Sequence, residues 1–300
     1  MSCMILASPY TQLFWNEYQK DKNRYDYNLV FDSFLSGCLD SERLSSCLEK
    51  LVNNYTLLNS HLSLDQGDLY WKQNDSIVSL INISNNAKAI TQFIDRPFHL
   101  DKEPLYRFGI VSVDKDKHRF IVVIHHALLD GNHFDQFVAL LSEYYNNALP
   151  PKTDDNPSHL NDVHQKQHVN VSHLKKSGSH NVWANFLKGT DARNNLTYIK
   201  SQSQGMGIID FSIATTTINS LSSIFSSSAF NILLLSWGIL VSKYCSTNTS
   251  CISYPIKIKT DHHSLFGSQI NVNIAKVTYA DDDTFKHVIA CYHKLELRTF

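Results

Sequence analysis

The chain has 300 residues, 43% of them hydrophobic and 11% aromatic, which is enough to bury a sizeable core and, by length, to form two domains rather than a disordered tail. Lys+Arg 27 against Asp+Glu 28 leaves a formal charge of −1. With no net positive field, neither nucleic acid nor an anionic lipid surface is expected as a partner.

Met1 to Leu6 lacks a basic stretch and is followed closely by the polar Gln12 and Asn16, so no secretory signal is read there and a cytoplasmic location is expected. Tyr27 to Leu35 has strand character. Asp40 then precedes Leu44, Cys47, Leu48 and Leu51, the spacing of a one-faced helix. Gly67 to Lys72 reads as a turn entering a strand, Ile90 to Arg96 as a short helix stopped by Pro97, and Tyr106 to Val113 as a further strand. After the charged turn Asp114 to Lys117, the β-branched run Phe120 to Ile124 predicts a strand buried in a sheet. It ends at His125-His126, and from Asn132 a helical stripe of Phe134, Phe137, Val138 and Leu141 runs to Asn146-Asn147.

From Pro150 to His180 the composition turns polar and histidine-rich, and a domain boundary is placed there, with a lobe over 1–150, a linker over 151–180 and a second lobe over 181–300. The second lobe is predicted to hold a helix at Asn181 to Leu187, a strand near Gly207 to Ile213, a buried helix from Phe230 to Cys245 and a strand at Cys251 to Ile258. Phe230 to Cys245 is about 16 residues long and is interrupted by Asn231, Ser236 and Gly238, short of the roughly 20 needed to span a bilayer. The six cysteines are scattered with no CxxC pair, as befits small apolar thiols rather than a disulfide framework or a zinc site.

Chemistry concentrates at His125, His126, Asp130 and Gly131, the pattern HHxxxDG. Successive residues of a strand point to opposite faces, so the two histidines must have different surroundings. His126, at the strand's end, is assigned to a cleft as proton acceptor or hydrogen-bond partner. A lone histidine there would more often be a satisfied core residue, but Asp130 and Gly131 at their spacing favour function. Asp130 is expected to cap the following helix and hold the loop, while Gly131 admits an unusual backbone angle and a close ligand approach. No metal site is expected, because adjacent strand residues cannot readily share one ion and His262-His263 has no partner motif. No GxSxG elbow or recognisable catalytic cysteine is present.

His125-His126-Ala127-Leu128-Leu129-Asp130-Gly131 resembles the signature of nonribosomal peptide synthetase condensation domains, in the chloramphenicol-acetyltransferase-like superfamily. Ser8 to Trp15 is similar to the family's opening motif. Pro97-Phe98-His99-Leu100 with Pro104-Leu105-Tyr106-Arg107, the segment Asn181-Val182-Trp183, and Phe266-Gly267 through Asn273 resemble later ones. The resemblance implies an α/β fold of two acetyltransferase-like lobes in a V, the second incomplete because members continue further than Phe300. It implies catalytic roles for His126, His125, Asp130 and Gly131, with structural support from Arg107 and from Lys259, which stands where many members have an arginine that pairs with the signature aspartate. It further implies amide formation from a thioester on the phosphopantetheine of a peptidyl or aryl carrier protein, with no cofactor bound by the domain itself. Gly67-Asp68-Leu69-Tyr70-Trp71 looks most like starter-type or free-standing siderophore enzymes, for which a soluble amine is an alternative acceptor.

The chain departs from the family pattern at Asn53-Asn54-Tyr55, where an Arg-His-Glu element is usual, at Lys259, which cannot form a bidentate fork, and at Asn132-His133. Competing readings are a coenzyme-A-dependent acyltransferase or an epimerase of the same superfamily, and a noncatalytic docking domain for carrier proteins.

Overall fold

The computed structural model describes residues 4–74, 76–130, 134–146, 156–176, 179–190, 211–257, 266–267 and 270–299. By packing the chain forms two units, Met1–His173 with Lys257–Asn271, and Leu174–Ile256 with Val272–Phe300. Both mix helices and strands, as expected for an α/β protein.

The first unit runs β1 (Met4–Leu6), α1 (Thr11–Lys20), β2 (Asn28–Ser36), α2 (Ser41–Asn54), β3 (Ser60–Asp65), β4 (Asp68–Gln73), β5 (Leu80–Asn82), α3 (Ala87–Asp95), β6 (Tyr106–Asp114), β7 (Lys117–His125), α4 (Phe134–Asn146) and most of α5 (Pro157–Lys176). Its main sheet has the order β2-β7-β6-β5, and a smaller one the order β1-β4-β3. β7 lies between β2 and β6, antiparallel to both, and its run Phe120 to Ile124 is buried on both faces as its unbroken apolar sequence demands. Edge strand β2 instead alternates half-buried and exposed residues. On one face α4 stacks Phe134 on Phe31 and Phe137 on Phe108; on the other, α3 meets the Arg107 side chain through its backbone carbonyls.

Local signals read from the sequence account for several elements. Asp40 caps α2 by accepting the Arg43 N–H at 2.9 Å, and Leu44, Cys47, Leu48 and Leu51 are buried along that helix. The β3–β4 hairpin closes through Gln66 and Gly67, both at positive φ, a turn whose twist suits two antiparallel strands.

The polar tract expected as a linker is helical from Pro157 to Lys176 and has a structural task. Asn161, His164 and His168 share one face of α5 at i, i+3 and i+7 and close the edge of β1. Asn161 accepts the Leu6 N–H at 3.0 Å, His164 Nδ1 donates to the Leu6 carbonyl at 2.6 Å, and His168 Nε2 donates to the Ala7 carbonyl at 2.8 Å. A histidine-rich composition resembled a solvated linker because side chains that terminate a sheet edge are themselves polar.

The second unit contains α6 (Ser179–Leu187), α7 (Thr215–Phe225), α8 (Ala229–Tyr244), the paired strands β8 (Thr249–Lys257) and β9 (Ile270–Thr278), and α9 (Phe285–Thr299). The strand expected near Gly207 to Ile213 is not found over Phe211 to Ile213, and its remainder lies outside the described residues. α8 is buried on one side only: Ile232, Leu235, Gly238 and Ser242 face inward, whereas Phe230, Leu233, Trp237, Leu240 and Tyr244 are exposed. An apolar run cannot reveal in advance how many of its faces will be covered. No single helix among the described residues is long and apolar enough to cross a membrane.

Gly238 is where α8 meets the strands. Its carbonyl accepts the Ser250 hydroxyl at 2.7 Å, and a Cβ there would lie 2.5 Å from Val277 Cγ2 and 3.0 Å from Val277 Cβ. Gly238→Ala would gain about 1 kcal/mol of helix propensity but incur overpacking of about 1–3 kcal/mol. The expected outcome is a net loss, seen as a lower urea midpoint; a raised midpoint would show that α8 and β9 separate freely.

Candidate active site

The site is built at the C-terminal end of β7, where backbone bonds fix both histidines. The His125 N–H donates to the Leu105 carbonyl and the His126 N–H to the Tyr27 carbonyl, each at 2.9 Å. Opposite His125 in register stands Asn28 of β2, so the two neighbouring strands grip this end of β7 from either side.

His125 turns inward and is 5% exposed. Its ring meets Phe14 and Phe98 edge-on at centroid distances of 5.9 and 6.1 Å and lies 6.0 Å from Tyr27. Its Nδ1 accepts the Ala127 N–H at 3.1 Å, which puts the proton of the neutral ring on Nε2. Burial, with a smaller contribution from the charge of His126, pushes its pKa down to about 3. His125 is thus a neutral residue of the interior that shapes the turn after β7.

His126 goes the other way. Its side chain is 29% exposed, its ring stacks on Phe14 at 5.2 Å and 28°, and its Nδ1 lies 3.6 Å from Asp130 Oδ1. That separation is too long for a hydrogen bond, but the buried carboxylate favours a proton on Nδ1 and so leaves the Nε2 lone pair available. Nε2 is the atom through which this ring can accept or relay a proton.

Asp130 is fully buried beside this ring. Its expected role as a helix cap falls on the stretch 131–133, outside the described residues, as do Gly131 itself and Lys259. The structure therefore sets His126 against Asp130 and turns His125 away into the core.

Arg107, expected as structural support, is buried beside Phe98. It is 5% exposed; its Nε donates to the Phe93 carbonyl at 2.8 Å and its Nη2 to those of Ile94 at 3.0 Å and Arg96 at 2.5 Å. The guanidinium lies 4.1 Å from the Phe98 ring centroid, and Phe98 in turn meets His125. Asn28 Nδ2 donates to the same Ile94 and Arg96 carbonyls. Burial, with a smaller contribution from the Arg96 charge, lowers the Arg107 pKa to about 9. The negative end of the α3 dipole partly offsets the cost of burying this cation.

Phe14, Tyr27, Asn28 and Phe98 were not singled out as site residues by sequence. Phe14 and Phe98 lie in stretches resembling family motifs, and that was their only signal. The chain segment between β8 and β9 also reaches this region: the Gly267 N–H donates to the Leu128 carbonyl at 2.7 Å, and Phe266 packs edge-on against Tyr55 at 4.9 Å. Tyr55, in the departure from Arg-His-Glu, thus takes a packing role. Asn273 Nδ2 donates to the Tyr254 hydroxyl at 2.8 Å in the second unit, and Trp183 packs edge-on against Phe186 there.

With this geometry in view, the condensation-domain family model matches residues 4–299. The chain belongs to the condensation-domain family. Surfactin synthase subunit 2 of Bacillus subtilis (strain 168) is 22% identical over 291 residues, covering 91% of this chain and 8% of that protein. Among solved structures, a four-domain nonribosomal peptide synthetase bound to AMP and glycine matches with a TM-score of 0.83 at 19% identity, covering 99% of this chain and 24% of that one. The first condensation domain of the calcium-dependent antibiotic synthetase, in complex with a substrate analogue, matches with a TM-score of 0.74 at 13% identity, covering 98% of this chain and 74% of that one. This condensation-family chain therefore spans a small part of the synthetases it matches, and three quarters of the isolated domain.

The depressed pKa of His125 has a consequence for stability. The unfolded ring binds a proton below about 6.5, while the folded one stays neutral down to about 3, so its contribution is complete above pH 6.5 and is lost as pH falls. Urea midpoints are expected to drop between pH 7 and pH 5. His125→Gln should be less stable at pH 7 and show a shallower drop; parallel slopes would mean that His125 is not the group responsible.

Proposed function

We propose that this chain joins an acyl or aminoacyl thioester, carried on the phosphopantetheine arm of a peptidyl or aryl carrier protein, to an amine. The amine nitrogen attacks the thioester carbonyl, the C–N bond forms, the C–S bond breaks, and the carrier thiol is released. The attacking amine loses a proton and the departing sulfur needs one. An imidazole whose Nε2 holds a free lone pair can take the first and supply the second.

The observation that carries this reading is the division of labour at the end of β7. His126 is part-exposed with Nδ1 turned to the buried Asp130, and His125 is withdrawn into the core. Family membership supports the reaction class. Little further chemical assistance is required when tethered reactants are held in attack geometry, since positioning alone lowers such barriers by several kcal/mol. Asp130 acts by orienting the ring, and Arg107 by holding α3 and Phe98 under His125. Gly131 and Lys259 are assigned to the loop and to charge balance near Asp130 on the family resemblance alone.

The test is single-turnover amide formation by the 300-residue chain with acyl-carrier thioesters, using carrier-bound or soluble amine acceptors, and acyl-coenzyme A as a competing donor. His126→Ala should lower the rate by about 10²–10⁴-fold with an unchanged circular dichroism spectrum. Unchanged turnover would remove His126 from the chemistry, preferential use of acyl-coenzyme A would move the enzyme to another branch of the superfamily, and carrier binding without turnover would make it a docking domain.

A further inference from the structure

The part-exposed imidazole of His126 makes no hydrogen bond through its Nδ1 among the described residues, and its backbone N–H bond to Tyr27 fixes the Cα but not the side-chain torsions. A ring that must present one nitrogen needs something else to hold its plane. Among the described residues, Phe14 stacks on that plane at 5.2 Å and 28°.

Phe14 is itself held in place. The Tyr27 ring meets it edge-on at 5.2 Å and 87°, and the Arg24 guanidinium lies over the Tyr27 ring at 5.0 Å. Arg24 is in turn anchored by Glu17 at 2.7 Å and through its Nε to Asp26 at 3.0 Å. Phe14 and Glu17 are three residues apart on α1 and so lie along one side of that helix. The run of contacts Glu17, Arg24, Tyr27 and Phe14 therefore starts and ends on the same rigid element, α1, and Phe14 presents its ring to His126 from there. Ser8 fixes the start of α1 by accepting the Thr11 N–H at 3.1 Å.

We infer that Phe14 is the positioning residue of this site, fixing the plane of the His126 ring so that Nδ1 faces Asp130 and Nε2 faces outward. The inference builds on the proposed role of His126, but it concerns ring geometry and can be read without turnover. Phe14 also meets His125 edge-on, so one ring contacts both imidazoles.

The experiment compares Phe14→Leu and Phe14→Met, two aliphatic replacements of similar size, with Phe14→Tyr, which keeps the ring. In the wild-type chain the His126 ring protons should be displaced by the Phe14 ring current, with nitrogen shifts reporting a single Nδ1–H tautomer. In the Leu and Met variants that displacement should vanish and both tautomers appear, whereas Phe14→Tyr should keep the wild-type pattern. In the condensation assay the Leu and Met variants should lose about 10–100-fold in kcat with KM little changed, and the Tyr variant should retain activity. A wild-type tautomer pattern in Phe14→Leu or Phe14→Met would overturn the positioning claim, whatever the rates. If the NMR pattern changes as expected while His126→Ala turns over normally, the positioning stands and the amide-forming role of His126 falls.

Discussion

The site depends on the burial of one strand on both faces. β7 is held between β2 and β6, and its run from Phe120 to Ile124 has almost no contact with solvent. A strand so confined cannot slip by one residue without turning each of its side chains to the wrong face. Two adjacent histidines at its end are therefore forced apart, one into the core and the other to the margin. Two like imidazoles acquire different chemistry with no difference in residue type.

Arg107 shows the same economy. Its buried guanidinium binds three backbone carbonyls at the end of α3 and lies over Phe98. Carbonyls at a helix C-terminus are directional and rigid, so they hold the cation and are held by it. Asn28 adds two further bonds to the same carbonyls and ties β2 into the arrangement. None of these groups needs to touch a substrate to matter. They set the floor on which His125 rests and, through the turn that follows, help to set where His126 begins.

The elements legible in advance were those with strong local chemistry. Asp40 and the Leu44 to Leu51 stripe specified α2, Pro97 followed the end of α3, and the β-branched run specified β7. β1 and β5, at three residues each, are too short to show a period, and β9 was overlooked although Asn273, Ala275 and Val277 alternate inward. α9 was also missed, although Phe285, Val288, Ile289 and Tyr292 carry a helical stripe. Read only by composition, α5 looked like a linker and α8 looked wholly buried. In both cases the deciding fact was which neighbour covered which face, and composition holds no record of that.

By itself the sequence determined the HHxxxDG pattern, its place at the end of a buried strand, and that its two imidazoles point to opposite faces, because side chains on a strand alternate. Tertiary structure alone decided what surrounds those rings. Phe14, Tyr27, Asn28 and Phe98 come from separate stretches of chain and converge only when α1, β2 and the segment after α3 pack around β7. Their stacking angles and distances follow from that packing, and no spacing along the chain encodes them.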